Sequence, residues 1–121
     1  MFLETICIQN GKVQNIDAHI KRMQDTASYF SFDAPDLPDI EKLLNDGLCE
    51  SKVKCRICYH NDISSISFEK YHPRNIQSLK LIYRSPDYAF KFADRTAMDD
   101  LLKLRNGCDE ILIVRNGLIT D

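Results

Sequence analysis

The 121-residue sequence lacks an apolar run long enough to cross a membrane, and its first residues do not show a signal-peptide pattern. It also lacks an excess of one charge sign, because the formal net charge is −2. A chain with this balance has no electrostatic footprint for nucleic acid. Internal repeats and low-complexity segments are absent as well. These absences argue against a membrane-spanning or nucleic-acid-binding protein and favour an ordinary globular protein.

Five cysteines are present, an odd number. Without a secretory signal, an odd count predicts reduced thiols and a cytoplasmic location. Cys55 and Cys58 form a C-x-x-C pattern with His60 and His72 nearby, so a zinc site has to be weighed. Residues three apart on a strand point to opposite faces, whereas zinc needs its ligands on one side. We therefore predict no metal site and place Cys55 in the core.

The first thirty residues predict a hairpin followed by a helix. Apolar and polar residues alternate over 3–9, and Asn10-Gly11 predicts a tight turn into a short return strand. A helix is predicted to start near Asn15 or Asp17, with apolar residues at three- and four-residue steps. This apolar stripe consists of Ile16, Ile20, Met23, Ala27 and Phe30.

His19 and Arg22 lie off this stripe, so we predict that both side chains face solvent or a ligand. A second helix is predicted from Pro38 to about Glu50, with Asp36 as its cap. Downstream, strands are predicted over 52–59, 63–71, 78–84 and 110–114, a helix over 96–105, and a last short strand after Asn116-Gly117. The mixture of elements predicts an α+β fold.

The likeliest domain boundary is Ser85-Pro86-Asp87. It would separate an N-terminal α+β lobe, residues 1–85, from the start of a larger domain, residues 86–121. The last hairpin has only Leu118–Asp121 in its second strand, and no further element covers its apolar face. A natural domain rarely ends in this way, so we expect the sequence to be part of a longer chain.

Lys91 stands between Phe90 and Phe92, shortly before the helix predicted over 96–105. An amine held against apolar and aromatic neighbours loses its proton more easily, which a Schiff-base lysine needs. The alternative is a surface lysine whose methylene chain lies along the aromatic rings.

The Lys91 segment occurs in order with three others: Phe2-Leu3-Glu4-Thr5, His19-Ile20-Lys21-Arg22-Met23 and the segment from Asp109 to Asp121. In this order the sequence resembles the class IV aminotransferases, the fold-type-IV pyridoxal-phosphate enzymes. That family includes branched-chain and D-amino-acid aminotransferases and 4-amino-4-deoxychorismate lyase. The resemblance implies a small two-layer α/β N-terminal lobe plus the first helix and hairpin of the larger domain. It also implies that this larger domain is truncated in the sequence.

The resemblance also implies roles for individual residues. Lys91 matches the Schiff-base lysine, and Arg22 matches the arginine that binds the cofactor phosphate. Asp121 falls where the family has the glutamate that partners the pyridine nitrogen, so the same charge sits on a shorter arm. Glu4 and Thr5 match the Glu-Thr of the first strand, near the active-site side but without a named role.

The function implied is a pyridoxal-phosphate-dependent aminotransferase or aminodeoxychorismate-lyase-like enzyme that forms homodimers. It would act through the Lys91 Schiff base and remove the α-proton of an amino-acid or amino-chorismate-type substrate. These residues do not separate the two reactions. The alternative is a non-enzymatic or degenerate member of the family that serves as a binding or assembly module, which the Asp-for-Glu change and the missing part of the phosphate cradle favour.

Overall fold

A computed structural model describes residues 1–84 and 89–120, and it confirms the predicted α+β class. The strands are β1 (Phe2–Gln9), β2 (Lys12–Val13), β3 (Lys52–Tyr59), β4 (Ile63–Lys70), β5 (Leu79–Ile82), β6 (Glu110–Arg115) and β7 (Leu118–Ile119). The helices are α1 (Ile16–Phe30), α2 (Ile40–Leu43) and α3 (Thr96–Leu102), with 3₁₀ turns at Asp46–Leu48 and Lys103–Arg105.

The first sheet has the strand order β2-β1-β3-β4, with every pair antiparallel. Ile6 lies opposite Cys55, which in turn lies opposite Phe68. Side chains alternate along each strand, so one face of the sheet collects the inward residues. The buried residues of this face are Phe2, Glu4, Ile6 and Ile8 from β1 and Val53, Cys55, Ile57 and Tyr59 from β3. Residues of α1 and α2 pack on this face and complete the core.

The C-x-x-C pattern lies on β3 as predicted, with Cys55 buried in the core and Cys58 on the opposite face. Burial raises the pKa of the Cys55 thiol to about 11. Within residues 1–84 and 89–120, no three His, Cys, Asp or Glu side chains are grouped so that they could hold a metal ion. No helix in the same residues is long and apolar enough to span a membrane.

The helix α1 follows Asn15, one of the two predicted start positions. Asn15 has a left-handed backbone (φ 54°) and makes no side-chain capping hydrogen bond. The predicted apolar stripe is confirmed at Met23 and Ala27, which are buried. Phe30 is 40% exposed and belongs to an aromatic cluster described below.

The prediction of one helix from Pro38 to Glu50 is wrong. The helix α2 is a single turn whose cap is Asp39, and the Asp39 carboxylate accepts the Lys42 N–H. Asp36, the predicted cap, lies three residues before the observed cap Asp39.

The helix ends early because the next residues favour other conformations. Leu44 is extended, which places its side chain in the core. Asn45 is also extended, and its side chain accepts the Gly47 N–H at 3.1 Å. A short polar side chain that binds a nearby backbone amide competes with helix formation, and this competition opens the 3₁₀ turn.

The second sheet has the order β5-β6-β7, with β5 and β6 parallel and β6 and β7 antiparallel. Asn116 and Gly117 both have positive φ, 51° and 76°, as the predicted hairpin turn between β6 and β7 requires. Asp109 precedes β6, and its carboxylate accepts the N–H groups of Gln77 and Ser78 at 2.8 and 3.1 Å. This carboxylate therefore fastens the start of β6 to the loop before β5.

The described chain divides into two compact units. One contains Met1–His72 and Phe90–Ala93, and the other contains the described residues of 73–89 and 94–121. Their limits differ from the predicted domains, 1–85 and 86–121, because β5 pairs with β6 and Phe90–Ala93 pairs with β1. The predicted boundary, Ser85-Pro86-Asp87, lies outside the described residues, and the domain assignment stays a prediction.

Candidate functional site

The segment that carries Lys91 lies against the start of β1. Leu3 N–H donates to the Lys91 carbonyl at 2.9 Å, and Ala93 N–H donates to the Met1 carbonyl at 3.0 Å. Phe92 forms an antiparallel bridge with Phe2. The strand β2 pairs only with Ile8 and Gln9, at the other end of β1. The same edge of β1 is therefore open near Phe2, where the Lys91 segment binds.

Lys91 is the central residue of a tight three-residue turn, because Phe92 N–H donates to the Phe90 carbonyl at 3.2 Å. The Lys91 carbonyl accepts from Leu3, and the turn is followed at once by the Ala93 hydrogen bond to Met1. Lys91 itself is half-buried. The backbone that carries the amine is therefore fixed by main-chain hydrogen bonds.

The two phenylalanines beside Lys91 belong to an aromatic cluster with α1 and β1. The Phe90 ring lies 4.6 Å from the Tyr29 ring and 4.9 Å from the Phe30 ring, measured between centroids. The Phe92 ring lies 5.4 Å from Phe2 and 6.1 Å from Phe30. These contacts join the two neighbours of Lys91 to α1 and to the start of β1.

Glu4 is the one acidic residue on the buried face of β1, and 1% of its side chain is exposed. Arg22 binds it bidentately: Nε donates to Oε1 at 2.8 Å, and Nη2 donates to Oε2. His19 Nδ1 lies 2.6 Å from Oε2. His19 and Arg22 are three residues apart on α1, so they share one face of the helix. The result is a buried carboxylate with two partners from α1.

The prediction that His19 and Arg22 face solvent or a ligand did not include Glu4 as their partner. Both side chains turn toward Glu4, and 16% of His19 and 46% of Arg22 remain exposed. The signal for it was in the strand, because Glu4 alternates in phase with Phe2, Ile6 and Ile8. A carboxylate in an otherwise apolar row requires a buried partner.

Two more polar groups border this carboxylate. The pKa of the Tyr59 phenol is raised, mainly because the phenol is buried. A hydrogen bond with Thr26 and the charge of Arg22 oppose this rise, and the charge of Glu4 adds to it. Thr26 and Tyr59 are themselves buried. In the described part of the chain, every buried side-chain nitrogen and oxygen has a hydrogen-bond partner. Glu4, Arg22, His19, Thr26 and Tyr59 thus form a satisfied polar cluster inside the apolar core.

The structure brings two of the three predicted site residues into one unit. Lys91 is bonded through its carbonyl to Leu3, the residue before Glu4, and Glu4 holds Arg22. Asp121, predicted to partner the pyridine nitrogen, lies outside the described residues, so its role stays a prediction. Sequence reasoning missed the Glu4–Arg22–His19 cluster and the attachment of the Lys91 turn to β1.

The described residues fit pyridoxal phosphate in part. They supply an amine on a fixed turn beside aromatic rings, and a guanidinium that is anchored by a carboxylate while nearly half its side chain is exposed. An amine and an arginine are two of the three groups that this cofactor needs from a protein.

No family model matches the sequence. The chain is 30% identical over 122 residues to an uncharacterized protein of Haemophilus influenzae strain Rd, across 98% of this chain and 65% of that protein. A solved structure of a candidate 4-amino-4-deoxychorismate lyase from Haemophilus somnus 129PT superposes with a TM-score of 0.80 at 30% identity. It is matched over 99% of this chain and 66% of that chain. The predicted resemblance to the class IV family is confirmed.

A second solved structure, also of a candidate 4-amino-4-deoxychorismate lyase, has a TM-score of 0.70 at 16% identity and shows the class IV fold alone. It is matched over 95% of this chain and 53% of that chain. The chain therefore spans just under two thirds of the first two relatives, and part of the class IV fold lies beyond the region compared.

Proposed function

We propose that this chain carries the lysine-bearing part of a pyridoxal-phosphate-dependent class IV enzyme. The observation that supports it most is the Lys91 turn, which is fastened by a hydrogen bond from Leu3 of β1 to Lys91 and by one from Ala93 to Met1. A nucleophilic lysine has to be held in one place to meet its substrate, and main-chain bonds at the lysine and two residues after it serve this purpose.

Each residue has a distinct part in the proposal. Lys91 Nζ would hold the cofactor covalently until the substrate amine takes over that bond, and the freed Lys91 amine would then take and return the substrate α-proton. Arg22 would bind the cofactor phosphate, since a guanidinium pairs well with phosphate oxygens. Asp121 would hold the proton on the pyridine nitrogen. When bound, pyridoxal phosphate supplies the electron sink for charge that develops at the substrate α-carbon.

The proposed substrate is an amino acid or an amino-chorismate-type compound, and the reaction is elimination or transamination. Two solved relatives are candidate 4-amino-4-deoxychorismate lyases, which favours elimination. We propose a homodimer in the cytoplasm as the working form, in keeping with the class IV resemblance and with five unpaired cysteines in the described residues.

A spectroscopic titration tests the cofactor role of Lys91. Adding pyridoxal phosphate to the full gene product is expected to produce the visible absorbance of a lysine–cofactor adduct, and Lys91→Ala is expected to abolish it. Lys21→Ala is the matched control, because Lys21 lies on α1 in the same unit and forms an exposed ion pair with Asp25. Absorbance that persists in Lys91→Ala would remove this lysine from the proposal. No absorbance in any variant would favour the binding or assembly module instead.

A further inference from the structure

We infer that Glu4 and His19 are positioning residues that hold the Arg22 guanidinium in place for the cofactor phosphate. The inference rests on the proposed function, because it takes Arg22 as the phosphate-binding residue. It adds a role for two side chains that do not themselves contact the cofactor.

The geometry fixes one edge of the guanidinium. Arg22 donates through Nε and Nη2 to the two oxygens of Glu4, so the carboxylate and the guanidinium are held in one plane. Two donors on one edge define the direction of the whole group. At the same time 46% of the Arg22 side chain is exposed, so part of this side chain lies at the surface. In this inference the cofactor phosphate binds the guanidinium while its Nε–Nη2 edge stays on Glu4.

The anchor itself cannot shift easily. Glu4 belongs to β1, which is hydrogen-bonded to β3 along its whole length, and its side chain is enclosed by the core. His19 Nδ1 lies 2.6 Å from Glu4 Oε2, so it contacts the same oxygen as Arg22 Nη2. A carboxylate with donors on both oxygens has little freedom to rotate, and a long flexible arginine is thereby given one orientation.

The same strand also fixes the lysine. Leu3, next to Glu4, donates its N–H to the Lys91 carbonyl. The amine-bearing turn and the carboxylate that orients Arg22 are thus attached to adjacent residues of β1. A rigid strand that sets both groups keeps their separation constant, which a cofactor bound at both its aldehyde and its phosphate requires.

The test compares pyridoxal phosphate with pyridoxal, which has the same aldehyde and no phosphate. In Glu4→Gln, the affinity for pyridoxal phosphate is expected to fall by about ten- to hundredfold, the range seen for residues that orient metal ligands. The affinity for pyridoxal should be unchanged. Asp25→Asn removes a carboxylate from an exposed pair on the same helix, and it should change neither affinity.

A second pair of variants keeps the test decisive if Glu4→Gln does not fold. His19→Asn places an amide N–H near the position of Nδ1 and should keep the preference for the phosphorylated ligand, whereas His19→Leu should weaken it. If Glu4→Gln or, in its place, His19→Leu lost affinity equally for pyridoxal phosphate and pyridoxal, or lost none, the positioning role would be overturned. Wild-type protein that binds both ligands equally at Lys91 would overturn this inference alone. Wild-type protein that binds neither would overturn the proposed function as well.

Discussion

At the scale of single residues, the Glu4–Arg22 pair is asymmetric. Glu4 is enclosed and Arg22 is about half exposed, so the loss of one partner has different consequences from the loss of the other. Without Arg22, a carboxylate is left in the core with His19 still in contact with it. Without the Glu4 charge, Arg22 can turn to solvent.

This asymmetry predicts unequal losses of stability. Arg22→Met should lower the free energy of unfolding by about 3 kcal/mol, as for a buried ion pair that loses one member. Glu4→Gln should cost about 1 kcal/mol, the worth of an ordinary hydrogen bond, because glutamine keeps the shape and one acceptor. Urea unfolding at neutral pH measures both values.

The double variant, Glu4→Gln with Arg22→Met, provides the control. Its loss should be smaller than the sum of the single losses, because the two side chains are in direct contact. Equal losses of stability in the two single variants would mean that the difference in burial between Glu4 and Arg22 has no energetic effect. A double-variant loss equal to the sum of the single losses would mean that the two side chains do not interact.

Cys55 supports a second prediction at this scale. Burial raises the pKa of its thiol to about 11, so at pH 8 only a very small fraction is the reactive thiolate. Cys58, three residues along β3 and on the other face, is partly exposed. Alkylation of the native protein at pH 8 should therefore modify Cys58 and leave Cys55 unmodified until urea is added. Early modification of Cys55, located by peptide mapping, would contradict its place in the core.

The sequence located these residues only in part. Alternation along β1 put Glu4 on the same face as Phe2, Ile6 and Ile8, so a buried acid could be expected. Its partners could not be predicted, because several basic residues lie on the helix that follows. Periodicity does not show how that helix is rotated about its axis against the sheet, and so does not show which basic side chain faces Glu4. His19 and Arg22 were accordingly expected to face solvent or a ligand, without Glu4 as a named partner.

At the scale of elements, strands and hairpins were predictable because alternation and turn residues are local signals. Asn10-Gly11 and Asn116-Gly117 both form the turns that their sequence favours. The second helix failed because Asn45 competes locally for the backbone. The attachment of 90–93 to β1 joins residues almost ninety positions apart, and no local pattern reports such a pairing.

The link between β5 and β6 supports a pH-dependent prediction. Hydrogen bonds from Gln77, and to a lesser extent from Ser78, hold the pKa of the Asp109 carboxyl below its usual range despite some desolvation. A group with a lowered pKa stabilises the fold above its unfolded pKa, about 3.9 for aspartate, and loses this contribution as pH falls through the folded value. Asp109→Asn should therefore destabilise the protein at pH 7, and this difference should shrink below about pH 4.

Asp100→Asn is the matched control for Asp109→Asn. Asp100 forms an exposed ion pair with Lys103, so its loss should have little effect at any pH. Urea unfolding of the three proteins across the acid range measures the difference. A deficit in Asp109→Asn that stays constant down to pH 2 would show that its hydrogen bonds do not depend on the carboxylate charge.

At the scale of the whole molecule, the fold class and the family resemblance were accessible from the order of short motifs. The Lys91 segment lies far in sequence from the first strand and from the His19–Met23 segment, and the structure places all three in one compact unit. The chain matches just under two thirds of two relatives, so its activity and substrate remain proposals.

The central claim is that Lys91 binds pyridoxal phosphate covalently. The most direct measurement is to incubate the full gene product with the cofactor, reduce with borohydride and map the modified peptide by mass spectrometry. The account predicts one stoichiometric label, on Lys91, which disappears in Lys91→Arg. Label spread over exposed lysines such as Lys21 and Lys103, or no label at all, would contradict it.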